Sequence, residues 1–410
     1  MMRKVLTFIM AGGKGERLYP LTRDRTKPAV PFGGIYRIID FTLSNCINSG
    51  LRKIYLLTQY KSASLQRHIR LGWNILPSEL AQFIEILPAQ QRISDSWYLG
   101  TADAIYQNLY TLELDKPDEV LILAGDHIYK MNYYSMIDYH RDQGADVTVG
   151  VVEVDKDKAA QLGVVEVDTL GKVVGFQEKP KNPKTIPAHP DKVYASMGIY
   201  VFELAVLEQE LHDDAHHHNS SHDFGKDIIP QMLKKGSKIS VYNFIDENKK
   251  EAKYWRDIGT IDAYFEANMD LVQVDPIFNL YDRQWPLRTF QEQFPPAKTV
   301  FAGDEVTGRV GLVLDSIVSG GCIISGGRVQ RSILSPNVRI NSFSQVYDSI
   351  LMEGVNVGRY AKIKRAIIDK DVNIPQGMVI GYDLDEDRKR FFVSDSGIVV
   401  VAKGTEIKQL

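Results

Sequence analysis

Cysteine is nearly missing from this chain. Cys46 and Cys322 are the only two in 410 residues, and they lie far apart. That excludes a disulfide framework and cysteine metal spacing, and favours two reduced thiols in a cytosolic protein. Long apolar runs are missing too, since none approaches a membrane span. The N-terminal "MMRKVLTFIMAGG" is basic and then apolar, as in a weak signal peptide. Its apolar run is short and leads into a glycine turn, so it is expected to form a first buried strand. Excess charge is also missing. With 49 basic and 52 acidic residues the net charge is -3, which points to neither nucleic acid nor an anionic membrane as partner. An anionic ligand must be held by local clusters.

What is present is enough chain for two or three domains at roughly 150 residues each. Apolar runs at Val5–Gly13, Lys53–Tyr60, Glu119–His127 and Ala145–Val154 end in Gly, Asp or polar clusters. Helical spacing lies between them, over Ala102–Leu112 and around Tyr134–Gln143. Alternation of this kind predicts a Rossmann-like α/β domain with a mostly parallel sheet, whose ligands lie beyond the carboxyl ends of the strands. After residue 276 the chain turns rich in Pro and aromatics, as a connector over 277–303. Beyond it small apolar residues recur every sixth position: Ile317, Ile323 and Val329; Val355, Ala361 and Ile367; Ile368, Ile374 and Ile380. That period predicts a parallel β-helix over 304–410, with an antiparallel sandwich as the alternative.

The stretch "GGKGERL" lacks the third glycine of the dinucleotide fingerprint, because Leu18 occupies its place. It also lacks the Gly-Lys-Ser/Thr of the other phosphate loop. Its glycines still let backbone N–H groups approach an anion, and Lys14, Arg17, Arg25 and Lys27 add positive charge nearby. A tight turn with solvated basic residues would look much the same. In "LAGDHIY", Asp126 follows a buried-type strand and suits Mg²⁺, a hard cation that takes oxygen ligands; Asp257 of "YWRDIGT" is a second candidate. Thr101 is expected to cap a helix whose N-terminus would attract a polar ligand. Glu178 and Lys179 are expected to face opposite ways on an extended segment, and Ser196 and Tyr200 to share one strand face. His216, His217 and His218, with His212 and His222 nearby, suggest a polar surface loop before they suggest a metal site.

These segments together resemble the bacterial glucose-1-phosphate adenylyltransferases, the ADP-glucose pyrophosphorylases of glycogen synthesis. The matching stretches include "AGGKGERL", "KPAVPFGGIYRIIDFTLSNCINSG", "LPAQQR", "WYLGTADAIYQN", "LAGDHIYKMNY", "SSHDFGKDIIP", "YWRDIGTIDAYFEANMDL" and "VSGGCIISGG", in family order from about Lys4 to Val401. The resemblance implies a left-handed β-helix that serves regulation and oligomerisation. It also implies a reaction of ATP with α-D-glucose 1-phosphate that gives ADP-glucose and pyrophosphate, with no covalent enzyme intermediate. Matched residue by residue, Arg17 and Lys27 stabilise charge on the ATP phosphates, and Asp126 and Asp257 hold Mg²⁺. Gly12, Gly13, Gln90 or Gln91, Gly100 and Thr101 lie along the nucleotide. Glu178, Ser196 and Asp223 contact the sugar, Lys179 meets its phosphate, and Tyr98, Gly163, Tyr200, Phe224 and Trp255 complete the sugar-side wall.

The family pattern further implies a cytoplasmic homotetramer controlled by small anionic metabolites near the domain junction. Arg25, Arg37, Lys370 and Lys403 are the basic residues available there. Relatives activated by fructose 1,6-bisphosphate commonly carry a basic residue where this chain has Asp24, so a weaker or different activator response is expected. A UDP- or dTDP-glucose-forming enzyme is the nearest alternative. A non-catalytic regulatory subunit would be expected to have lost some of Arg17, Lys27, Asp126 and Asp257. A β-helix acyltransferase would need a histidine base beyond His222, and the chain has none.

Overall fold

The computed structural model describes residues 3–90, 97–246, 251–300 and 309–407. Its first half is built on a nine-stranded sheet. In chain order the strands introduced here are β1 (Val5–Met10), β2 (Lys53–Thr58), β3 (Phe83–Pro88), β4 (Glu119–Ala124), β5 (His127–Tyr129), β6 (Val147–Asp155), β7 (Gly163–Val167), β8 (Val173–Glu178), β9 (Lys192–Glu203), β10 (Ile239–Asn243) and β11 (Trp255–Asp257). The sheet order is β8-β7-β9-β4-β1-β2-β3, with β6 between β9 and β10. Its centre, β3-β2-β1-β4, is parallel, while β9 runs antiparallel to β4. Alternation along β1 explains the central position. Leu6 and Phe8 enter one apolar core and Ile9 the opposite one, so the strand is buried on both faces.

Two expectations about the helices meet different outcomes. Tyr133–Gln143 forms as expected and ends at Gly144 in the left-handed conformation. The single helix expected over Ala102–Leu112 is broken into Thr101–Tyr106 and Leu109–Asp115. Asn108 lies at the break. Its side chain donates to the carbonyl of Ala104, and its own carbonyl accepts from the Thr111 hydroxyl. An asparagine side chain competes in this way with the helix ladder.

The second half winds through three sheets, parallel except for the edge strand Phe392–Val393, the arrangement expected of a left-handed β-helix. Ile333 pairs with Ile350 and Ile350 with Ile367, so one coil takes seventeen residues, one short of three six-residue steps. One corner of each coil repeats a left-handed backbone, at Asp315, Arg331, Asp348 and Arg365. The β-helix sheets also take in Lys298–Val300, which pairs with Ile323–Ser325.

The halves share a core. Leu18, Phe32 and Phe41 from the first pack in one cluster with Ile333, Ile350 and Ile367 from the second. The connector lies against the first half: Phe278 packs on Phe41, Trp285 donates to Asn45, and Thr289 donates to Asp40. Among the described residues, no helix is long and apolar enough to cross a membrane.

Candidate active site

A cleft of about 1060 Å³ opens beyond the carboxyl ends of β1 and β4. The glycine turn after β1 forms one wall, where Gly12, Gly13 and Arg17 line the cleft. Gly15 has φ +64°, a conformation that favours glycine, and it starts the short turn Glu16–Leu18 that carries Arg17.

The floor is a cluster of charges. Lys27 Nζ donates to Asp126 Oδ2 at 2.9 Å and to Asp257 Oδ1 at 3.1 Å. Topology causes the meeting. Asp126 sits between β4 and β5, and β11 pairs antiparallel with β5 so that Asp257 lies opposite His127. Burial works against the charge on Lys27, but Asp126 and Asp257 outweigh it and hold its pKa above the ordinary lysine value. Burial likewise raises Asp126, yet Lys27, His127 and Arg17 together hold it well below the carboxylate range. The cluster therefore sets a protonated amine against an ionised Asp126, with Asp257 as the second acceptor.

Tyr98, Gly163, Glu178, Lys179, Ser196, Tyr200, Asp223, Phe224 and Trp255 line the other side of the cleft. Phe224 stacks on Tyr200 with ring centroids 5.5 Å apart, and Tyr98 Oη accepts from Asn108. Asp223 is oriented by three donors. Thr101 Oγ1 donates to Oδ2 at 3.1 Å, and the backbone N–H groups of Gly225 and Lys226 donate to Oδ1. A register shift in β9 between Ser196 and Ile199 does not separate Ser196 from Tyr200, because both line the cleft.

Several local expectations are corrected. Gly100, not Thr101, is the cap residue of Thr101–Tyr106; the Thr101 hydroxyl reaches across to Asp223 and accepts from the Phe224 N–H. The N–H groups of Ala102 and Asp103 are already taken by the carbonyl of His222, so that helix end offers them to no ligand. Glu178 and Lys179 do not diverge. Lys179 has φ +50°, which ends the strand's alternation, and its Nζ lies 2.9 Å from Glu178 Oε1. Gln90 is exposed and does not line the cleft; Gln91 lies outside the described residues. His216, His217 and His218, by contrast, are exposed as expected of a polar surface loop; among the described residues no group of three or more His, Cys, Asp or Glu is placed to hold a metal.

The sequence reading did not single out His127, Tyr60 or Trp97, which also line the cleft. His127 Nε2 lies 3.6 Å from Asp126 and 3.8 Å from Asp257, and its ring packs edge-on against Trp255. Its Nδ1 is buried with no partner among the described residues. Its position directly after Asp126 was the available signal. Tyr60 and Trp97 stack at 5.3 Å, with Lys14 over the Tyr60 ring.

A second cavity, of about 600 Å³, lies at the junction of the halves. It is lined by Asp24, Arg25, Arg37, Lys370 and Lys403, among others. Arg25 is buried in an ion pair with Asp369, Lys370 pairs with Glu353, and Lys403 lies 3.4 Å from Asp371. Asp24 is bonded by Arg23, which holds its pKa below the usual value.

Comparison with known proteins agrees along the whole chain. A nucleotidyl transferase family model matches residues 6–274, and a GlmU-like C-terminal hexapeptide model matches residues 295–401. A glucose-1-phosphate adenylyltransferase of Koribacter versatilis is 59% identical over 404 residues, covering 98% of this chain and 96% of that protein. Proteins of the same name from Rhodopirellula baltica and Methylococcus capsulatus are 57% and 52% identical. They cover 99% and 97% of this chain, and 92% and 93% of their own lengths.

Proposed function

The chain belongs to the glucose-1-phosphate adenylyltransferase family, and from that premise we propose its reaction: ATP and α-D-glucose 1-phosphate give ADP-glucose and pyrophosphate. A phosphate oxygen of glucose 1-phosphate attacks the α-phosphorus in line. The bond to the β-phosphate oxygen breaks, and pyrophosphate leaves with its electron pair. The observation that carries the reading is the Lys27–Asp126–Asp257 cluster at the floor of one cleft, between the glycine wall and the wall of Asp223 and Glu178.

No protein nucleophile is needed, so the residues act by position and charge. Gly12 and Gly13 let the backbone approach the nucleotide, with Gly100, Thr101 and, in place of the exposed Gln90, Gln91 assigned to its nucleoside side. Arg17 and Lys27 stabilise charge on the departing pyrophosphate. Glu178, Ser196 and Asp223 bind sugar hydroxyls, and Lys179 pairs with the sugar phosphate. Tyr98, Gly163, Tyr200, Phe224 and Trp255 wall the sugar and exclude water.

The residues fit magnesium. Asp126 is held ionised, and it converges with Asp257 on one point. Among the described residues only these two carboxylates meet there, which suits an ion that fills its remaining positions with water and phosphate oxygens. Asp126 and Asp257 would hold it, and when bound it supplies charge stabilisation to those oxygens.

The junction cavity is assigned to an anionic effector held by Arg25, Arg37, Lys370 and Lys403. Asp24 opposes a second phosphate, so fructose 1,6-bisphosphate is expected to activate weakly. Rates against a panel of sugar phosphates and pyruvate test this, and strong activation by the bisphosphate contradicts it. The protein is assigned as a homotetramer working in the cytoplasm; sedimentation at assay concentration tests the assembly.

Pyrophosphate release is the test of the reaction. Wild type should release it with ATP and glucose 1-phosphate together, and much more slowly with UTP or dTTP. No release with the first pair contradicts the reading.

A further inference from the structure

The wall that carries Asp223 is held from behind by groups that do not line the cleft. His222, the residue before Asp223, has φ +54°, a left-handed conformation that is uncommon outside glycine. That conformation aims its carbonyl at the start of the helix Thr101–Tyr106, where it accepts from Ala102 N at 2.8 Å and from Asp103 N at 3.4 Å. The approach is close enough that a Cβ on Gly100 would fall 2.2 Å from the His222 oxygen. This contact ties the helix bearing Thr101 to the loop bearing Asp223.

The side chain of His222 is anchored as well. Its Nδ1 lies 2.7 Å from Oδ2 of Asp214, a buried residue near the end of the helix Leu204–Ala215. Ser220 Oγ donates to the other oxygen of Asp214 at 2.6 Å and accepts from the His222 N–H at 2.9 Å. Asp214 therefore fixes both ends of a three-residue turn. Without that anchor, the turn keeps the bond from the His222 N–H to Ser220 but loses the contact that holds the His222 ring.

We infer that His222 and Asp214 are positioning residues for the sugar half of the site: they clamp the Asp223 loop onto the helix Thr101–Tyr106 and so set the affinity for the sugar phosphate. The inference rests on the reaction proposed above. The effect should be one-sided. The helix keeps its own packing through Ala102, Ala104 and Ile105, all buried in the main core, whereas the Asp223 loop is joined to it by the His222 carbonyl as well as by the Thr101 hydroxyl, so losing the clamp loosens the loop more than the helix.

Steady-state kinetics of the full chain, with thermal melting, test this on Asp214→Ala, Asp214→Asn and Ser220→Ala. Loss of a hydrogen bond to a charged group is expected to be worth about tenfold. Asp214→Ala should therefore raise KM for glucose 1-phosphate about tenfold, with KM for ATP and kcat within about twofold. Asp214→Asn keeps an acceptor for the ring and should restore KM to within about threefold of wild type. An unchanged KM for glucose 1-phosphate, or an equal rise for both substrates, overturns the clamp. If Asp214→Ala does not fold, Ser220→Ala decides: a selective rise of about threefold supports the clamp, and no rise or an unselective one overturns it. A wild-type chain that releases no pyrophosphate overturns the reaction and the clamp together. An active wild type with unselective variants overturns the clamp alone.

Discussion

In the nucleotidyltransferase half, a buried lysine bridges two carboxylates that lie 99 and 230 residues away in sequence. In the β-helix half, charges meet near neighbours on adjacent coils, as Arg331 meets Asp348 at an exposed corner, and the interior is filled by Val346, Ile363 and Ile374. The first half brings distant charges together out of water, where an unpaired group is costly and a paired one is poised for phosphate chemistry. The second repeats one local solution along its coils, and its buried Asp369 lies at the seam, paired with Arg25 of the first half. One half is organised around a site, and the other is a stacked scaffold.

Removing the bridge should give the largest effect. Lys27→Met is expected to lower kcat by about 10²–10³-fold, measured as pyrophosphate release, while Asp126 and Asp257 are left to repel. The seam between the halves comes next. Asp369→Ala leaves Arg25 buried without its partner, and truncating one member of a buried pair costs about 3–5 kcal/mol; denaturant unfolding should show it. Ile363→Ala in the coil interior should cost about 2–5 kcal/mol and leave both KM values unchanged. A large KM change there would break the division into site and scaffold.

The smallest effect is with pH. Asp126 is lowered, so its contribution is present above the ordinary carboxylate value and lost as pH falls through its folded value. Lys27 is raised, so its contribution is present below the ordinary lysine value and lost as pH rises through its folded value. Without Lys27, burial of Asp126 loses its main counterweight, so the melting difference between wild type and Lys27→Met should shrink as pH falls toward the ordinary carboxylate value. A difference that does not change with pH would mean that Lys27 does not hold Asp126 ionised.

The two halves were also unequally legible. The six-residue step exposed the β-helix through Ile368, Ile374 and Ile380, which fill its interior, whereas Ile317 and Ile367 pack at the seam and Ile324, not Ile323, is buried in the coil. One series of left-handed corners was hidden, since Asp315, Arg331, Asp348 and Arg365 share no residue type that marks such a backbone, while Gly321, Gly326, Gly354 and Gly377 mark others. In the catalytic half, strand endings pointed to Asp126, and motif order pointed to most of the cleft. The convergence of Asp126 with Asp257 depends on β11 pairing with β5, a long-range contact that no local pattern encodes. The break at Asn108 and the turn at Lys179 were missed for the opposite reason. Each depends on one side chain or one dihedral that periodicity averages away.

Lys27, Asp126 and Asp257 are proposed to act as one functional unit. The most direct measurement is pyrophosphate release from ATP and glucose 1-phosphate by Asp126→Asn, Asp257→Asn and the double variant. Groups that act together give non-additive losses. The double variant should be about as slow as the slower single variant; losses that multiply would show two independent groups and contradict the claim.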